Sequence, residues 1–245
     1  MPFQLGPYRA ALADASWVPS SLTDMAQLKD QWLHPAEVAV WEALPTPARQ
    51  YSLLAGRIAA KLAVATLGGQ ADPQRVHVAP GCFGQPIICA GGPQLAVSIT
   101  HTAGLVLAVA TDARSVVGID AELVQEKSTR GLRTFLADEA ERWRPRLPNL
   151  SDTETLFTLW SQRESVGKAL RIGLTSPTSV YELQSLERLD DGGVRASHRS
   201  FPQLLTESAR SGSHVVSLTR PQDQEPDRRW SELLGDVLAI RTSVH

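Results

Sequence analysis

The chain has 245 residues, 42% of them hydrophobic, with 24 Lys and Arg against 26 Asp and Glu for a formal net charge of -2. That apolar content suits a globular fold and excludes disorder and low-complexity character, while the near-neutral balance lacks the basic surplus of a nucleic-acid-binding surface. Cys82 and Cys89 supply neither a disulfide framework nor zinc-ligand spacing, and the opening MPFQLGPYRA is no signal peptide, so a cytoplasmic protein without membrane association is expected.

In chain order, Pro35 suits the first turn of a helix over Ala36–Leu44, interrupted by Pro45-Thr-Pro47. A longer helix is predicted over Arg49–Leu67, where Leu53, Leu54, Ile58, Leu62 and Leu67 lie near helical spacing and Gly68-Gly69 ends the segment. Short apolar runs then read as strands of a meander: Val76–Ala79, Pro86–Cys89, Leu95–Thr100 and Leu105–Thr111, separated by Pro80-Gly81, Gly91-Gly92-Pro93 and Thr102-Ala-Gly104. Val116–Leu123 is one more strand. Helices follow over Leu132–Arg144 and from a Ser151/Asp152 cap through Leu170. Val180–Leu189, Val194–Ser197, His214–Leu218 and Val237–Arg241 complete the chain as predicted strands. Helices then strands, twice over, predict an α+β fold of two comparable lobes, residues 1–112 and 113–245. Arg57…Lys61 and Glu164…Lys168, each in a long helix before a strand block, faintly echo one another.

Three groups of residues could carry chemistry. In Gly118-Ile119-Asp120-Ala121-Glu122 the strand alternation turns both carboxylates to one face, a pair suited to a hard cation such as Mg²⁺ or Mn²⁺; an ordinary half-solvated strand would show the same pattern. On the second long helix Trp160, Glu164 and Lys168 fall at intervals of four and form one stripe. Glu164 could complete a three-carboxylate site there, and Lys168 could face an anion, although Glu and Lys at this spacing are also a common surface ion pair. Ser98-Ile99-Thr100-His101, at a strand end, places a hydroxyl beside an imidazole where phosphate oxygens or a plain turn would both fit. Neither a Gly-x-Ser-x-Gly elbow nor a phosphate-cradling glycine loop is present.

Taken in order, Gly84-Gln85-Pro86, Thr100-His101, Gly118-Ile119-Asp120-Ala121-Glu122 and Trp160-Ser-Gln-Arg163-Glu164-Ser-Val-Gly-Lys168 resemble the motifs of the 4′-phosphopantetheinyl transferases of the larger, two-lobed Sfp type. His34-Pro35, Leu54-Ala55-Gly56-Arg57 and Gly173-Leu174 are similar to further features of that family. The resemblance implies a pseudo-twofold pair of α+β lobes, each a long helix on a mainly antiparallel sheet. It also implies transfer of the phosphopantetheine arm of coenzyme A to a serine of an apo acyl or peptidyl carrier protein, with release of 3′,5′-ADP. Carried over by position, Asp120, Glu122 and Glu164 would hold Mg²⁺ (or Mn²⁺), and Glu164 would take the serine proton, directly or through a water. Lys168 would neutralise the diphosphate, and Thr100 and His101 would contact coenzyme A phosphates. With both lobes in one chain, a monomer is expected.

The chain departs from the family pattern in places. Gln85 stands where Lys is common, and Ala36–Val40 lacks the lysines some relatives carry; Arg57, Arg49, Arg75 or His77 could compensate as contacts to coenzyme A. Arg163 stands for Lys. Two other readings remain open: a homologue that binds coenzyme A or a carrier without transfer, and a metal-dependent phosphoesterase. Arg130, Arg133, Arg142, Arg144 and Arg146 could steer an acidic carrier toward the site.

Overall fold

A computed structural model describes residues 3–4, 10–68, 72–90, 94–224 and 228–239. Strands β1 (Phe3–Gln4) and β2 (Ala10–Asp14) are followed by helices α1 (Leu22–Trp32), α2 (Pro35–Glu42) and α3 (Pro47–Thr66). The meander then runs through β3 (His77–Pro80), β4 (Pro86–Ala90), β5 (Leu95–Thr102) and β6 (Leu105–Asp112). After the link to β7 (Gly118–Leu123) come α4 (Thr129–Trp143) and α5 (Asp152–Ala169), then β8 (Leu183–Arg188), β9 (Val194–His198), β10 (Leu204–Ser211), β11 (His214–Pro221) and α6 (Trp230–Ala239). The strands form two antiparallel sheets, ordered β1-β2-β6-β5-β4-β3 and β7-β11-β10-β9-β8. Long helix α3 covers the first sheet and α5 the second, so the fold is α+β and the lobes repeat one plan.

Why the lobes stay together follows from the alternation of β6. Its Val106, Ala108 and Ala110 join the core under α3, while Leu105, Leu107 and Val109 join a second core with Ile119 and Ala121 of β7, Val216 and Leu218 of β11, and Trp230 and Leu234 of α6. A strand buried on both faces reads as one unbroken apolar run, which is how LVLAVA appears in the sequence. Each long helix starts on a side-chain cap: Thr46 Oγ1 accepts from the Arg49 amide, and Ser151 with Glu154 closes a reciprocal capping box.

The structure corrects one expected strand. Val237 lies in helix α6, in which Trp230, Leu233, Leu234 and Val237 are buried at helical spacing; Ile240 and Arg241, the end of that expectation, lie outside the described residues, as do Gly69 and the 91–93 turn. Val180–Leu189 begins as a 3₁₀ turn over Thr178–Tyr181 and becomes a strand only at Leu183. The fold also contains β2, α1 and β10, which the sequence reading had not identified as elements.

Candidate active site between the lobes

Strand β7 brings the two lobes' chemistry together. One of its edges pairs with β11, and on the other the amides of Ile119 and Ala121 donate to the hydroxyls of Ser98 (3.1 Å) and Thr100 (2.9 Å) on β5. Hydroxyls thus take the place of a neighbouring strand's carbonyls and fix the register of the two lobes. With Ile119 and Ala121 turned into the apolar core, Asp120 and Glu122 face the other way, toward α5. The close approach of that helix depends on glycine: a Cβ on Gly118 would lie 1.9 Å from the Ser165 carbonyl oxygen. Gly167 has the same role one layer out, since a Cβ there would lie 2.5 Å from the Gly173 carbonyl oxygen, and the amides of Ile172 and Gly173 both donate to the Gly167 carbonyl.

Asp120 is buried, and its Oδ1 receives the ammonium of Lys168 at 2.7 Å and the Thr100 hydroxyl at 3.4 Å. Its Oδ2 is buried without a partner. Burial, then repulsion from Asp120 and Glu164, pushes Glu122 up to about 7, against the pull of Lys168 and a hydrogen bond from the Trp160 indole. Glu164 is raised in the same sense, by burial first and Asp120 second. Burial, aided by Lys168, favours the neutral form of His101. The predicted stripe Trp160–Glu164–Lys168 therefore does meet the β7 carboxylates.

Beside this group lies a cavity of about 200 Å³ between the lobes, walled by Phe83, Gln85 and Ser98 on one side and Glu164, Lys168 and Arg171 on the other. Gln85 reaches it while bracing its own turn, where Oε1 accepts from the Phe83 amide. Thr100 is buried, its hydroxyl engaged by Ala121 and Asp120. Arg57 is placed elsewhere, in a buried charge cluster of the first lobe: Glu37 accepts from Lys61 at 2.5 Å, lies 3.5 Å from Arg57 and also takes the Val78 amide, with His34 and His77 stacked nearby. Arg75 pairs with Asp72, and Arg163 is buried in an ion pair with Glu139. Arg171 was not singled out by sequence reasoning; a helix end without a glycine at its customary position was the available signal.

The donor set suits a hard divalent cation: three carboxylates that repel one another, one of them with an orphaned buried oxygen. Among the described residues they are not arranged as a convergent three-ligand cage.

Residues 116–219 match the family model of the 4′-phosphopantetheinyl transferase superfamily. The matched segment is less than half of the chain. It contains β7, α5 and every carboxylate of the site. Solved structures similar to the chain include the holo-[acyl-carrier-protein] synthase (AcpS) of Thermotoga maritima, 18% identical over 54% of this chain and 74% of that one, with a TM-score of 0.33. No curated protein sequence matches the chain. No helix among the described residues is long and apolar enough to cross a membrane.

Proposed function

We propose that this protein transfers the 4′-phosphopantetheine arm of coenzyme A to a serine of an apo acyl or peptidyl carrier protein and releases 3′,5′-ADP. What carries the reading is the Asp120–Lys168 pair, with Glu122 and Glu164 beside it, next to an interlobe cavity and inside the segment that matches the superfamily.

In this reading the serine oxygen forms the new bond to the phosphorus that carries the pantetheine arm, and the bond from that phosphorus to the 3′,5′-ADP oxygen breaks. Glu164, held basic by burial and Asp120, takes the serine proton directly or through a water. Lys168 neutralises charge growing on the departing nucleotide. Asp120, Glu122 and Glu164 would hold Mg²⁺ or Mn²⁺, which when bound supplies further charge neutralisation at the diphosphate. His101, kept neutral, donates to a phosphate oxygen. Thr100 acts one step back, orienting Asp120 through its hydroxyl. One chain supplies both walls of the cavity, so we expect a monomer to suffice.

The test is release of 3′,5′-ADP from coenzyme A with and without an apo carrier. Release only with the carrier supports transfer. Cleavage without a carrier would instead indicate a phosphoesterase, and binding of coenzyme A without release under either condition a non-transferring homologue.

A further inference from the structure

Helix α5 ends in an unusual conformation. Its last residue is Ala169, and Arg171 just beyond it has φ 61°. Among the described residues every other positive φ belongs to a glycine. The left-handed position after a helix favours glycine because a Cβ there crowds the backbone. Arg171 is thus held against a conformational cost, and outliers of this kind gather at functional sites.

The surroundings of its side chain point the same way. Arg171 is exposed, forms no ion pair among the described residues, and makes a long 3.4 Å bond to the Ala113 carbonyl on the link between the lobes. It lines the interlobe cavity with Gln85, Glu164 and Lys168. The other cation there, Lys168, is committed to Asp120 at 2.7 Å. His101 is driven toward its neutral form, and Gln85 carries no charge. Among the described residues, the cavity's uncommitted positive charge therefore resides on Arg171.

We propose that Arg171 binds the diphosphate of the nucleotide substrate, supplying the charge that Gln85 does not. A guanidinium presents a fork of N–H donors that suits phosphate oxygens. The inference rests on the reading of the cavity as the coenzyme A site.

The test titrates coenzyme A and dephospho-coenzyme A into the whole chain, Arg171→Gly, Arg171→Lys and Arg171→Gly/Gln85→Lys by calorimetry, and records a thermal melt of each protein alone. Arg171→Gly is expected to bind both ligands roughly tenfold more weakly. Its melting temperature should hold or rise, because glycine accepts φ 61° without strain. Arg171→Lys should keep part of the affinity, and Gln85→Lys should restore it in the glycine background. Unchanged binding by Arg171→Gly would overturn the proposal, as would weaker binding accompanied by a lower melting temperature. A loss seen with coenzyme A and absent with dephospho-coenzyme A would overturn the assignment to the diphosphate. If the unaltered protein binds neither nucleotide, the coenzyme A reading fails first and this inference with it.

Discussion

Gly118 and Ser165 approach so closely that β7 and α5 are in backbone contact: a Cβ on Gly118 would sit 1.9 Å from the Ser165 carbonyl oxygen. That contact sets Asp120 against Lys168, since each lies a few residues along from the point where the two elements touch. Gly118→Ala therefore forces strand and helix apart. It should destabilise the fold by about 3 kcal/mol, the upper end of overpacking costs, and reduce transfer more than its stability loss alone explains. Urea denaturation together with a rate assay checks both; an alanine variant as stable as the original protein would contradict the packing described here.

Beneath α5 the helix–sheet interface is polar. His198 bonds Thr206 at 2.7 Å, Thr206 bonds Thr219 at 2.8 Å, and Thr219 bonds Ser165 at 2.7 Å, all fully buried. Burial, then the nearby Arg163, lowers His198 to about 4. Its folded value thus lies below the unfolded one near 6.5, so the unfolded chain binds the extra proton between those limits. The stabilisation is complete above pH 6.5 and is lost as pH falls toward 4, on the order of 3 kcal/mol in the limit. Unfolding free energies from pH 7 to 4 should show this loss, and His198→Gln should flatten it; an equally steep acid limb in the variant would rule out His198 as its origin.

Glu122 gives the opposite dependence. Its folded value, raised to about 7, means that the protein without metal loses stability as pH rises from 4.5 through 7. Binding a dication requires the carboxylate, so Mg²⁺ affinity should climb through that range, by up to about tenfold per pH unit below 7 where one proton is displaced. Titration at several pH values in buffers of different ionisation enthalpy reads both the affinity and the proton release. Equal affinity at pH 6 and pH 8, with no proton released, would contradict the account.

Removing the cation of the pair should affect both chemistry and folding. Lys168→Met is expected to slow transfer by about 10²–10³-fold, the range seen when one group stabilising transition-state charge is lost. Asp120 is buried, so the variant leaves its carboxylate with the Thr100 hydroxyl as its remaining partner, and the melting temperature should drop as well. A variant that unfolds before its rate can be read would show that the pair serves the fold first.

Much of this was legible because the site sits on elements with clear periods. In β7, alternation alone places Asp120 and Glu122 on one face, and the Ser151 cap with an apolar period announces α5. Other elements were hidden for physical reasons. Strand β10 buries Thr206, Glu207 and Ser208, whose partners are other polar side chains, so no apolar alternation marks it. Strand β2 is AALAD, residues poor in strand propensity that are held by burial between two cores. Helix α1 buries Met25 and otherwise shows mainly polar residues. At the C-terminal end, a strand reading from Val237 onward cuts that residue off from the helical repeat of Trp230, Leu233 and Leu234. At the site, the engagement of Thr100 with β7 and the left-handed backbone of Arg171 are tertiary facts with no signature in a strand or helix period.

The intact mass of an apo carrier protein reads group transfer at the Asp120–Lys168 pair without intermediaries. Incubated with this protein, coenzyme A and Mg²⁺, the carrier should gain the mass of one phosphopantetheine arm. The gain should vanish with EDTA and with Asp120→Ala, while Asp120→Ala still melts as a folded protein. A panel of acyl and peptidyl carriers that all keep their apo mass, or a gain that survives Asp120→Ala, would contradict transfer at that pair.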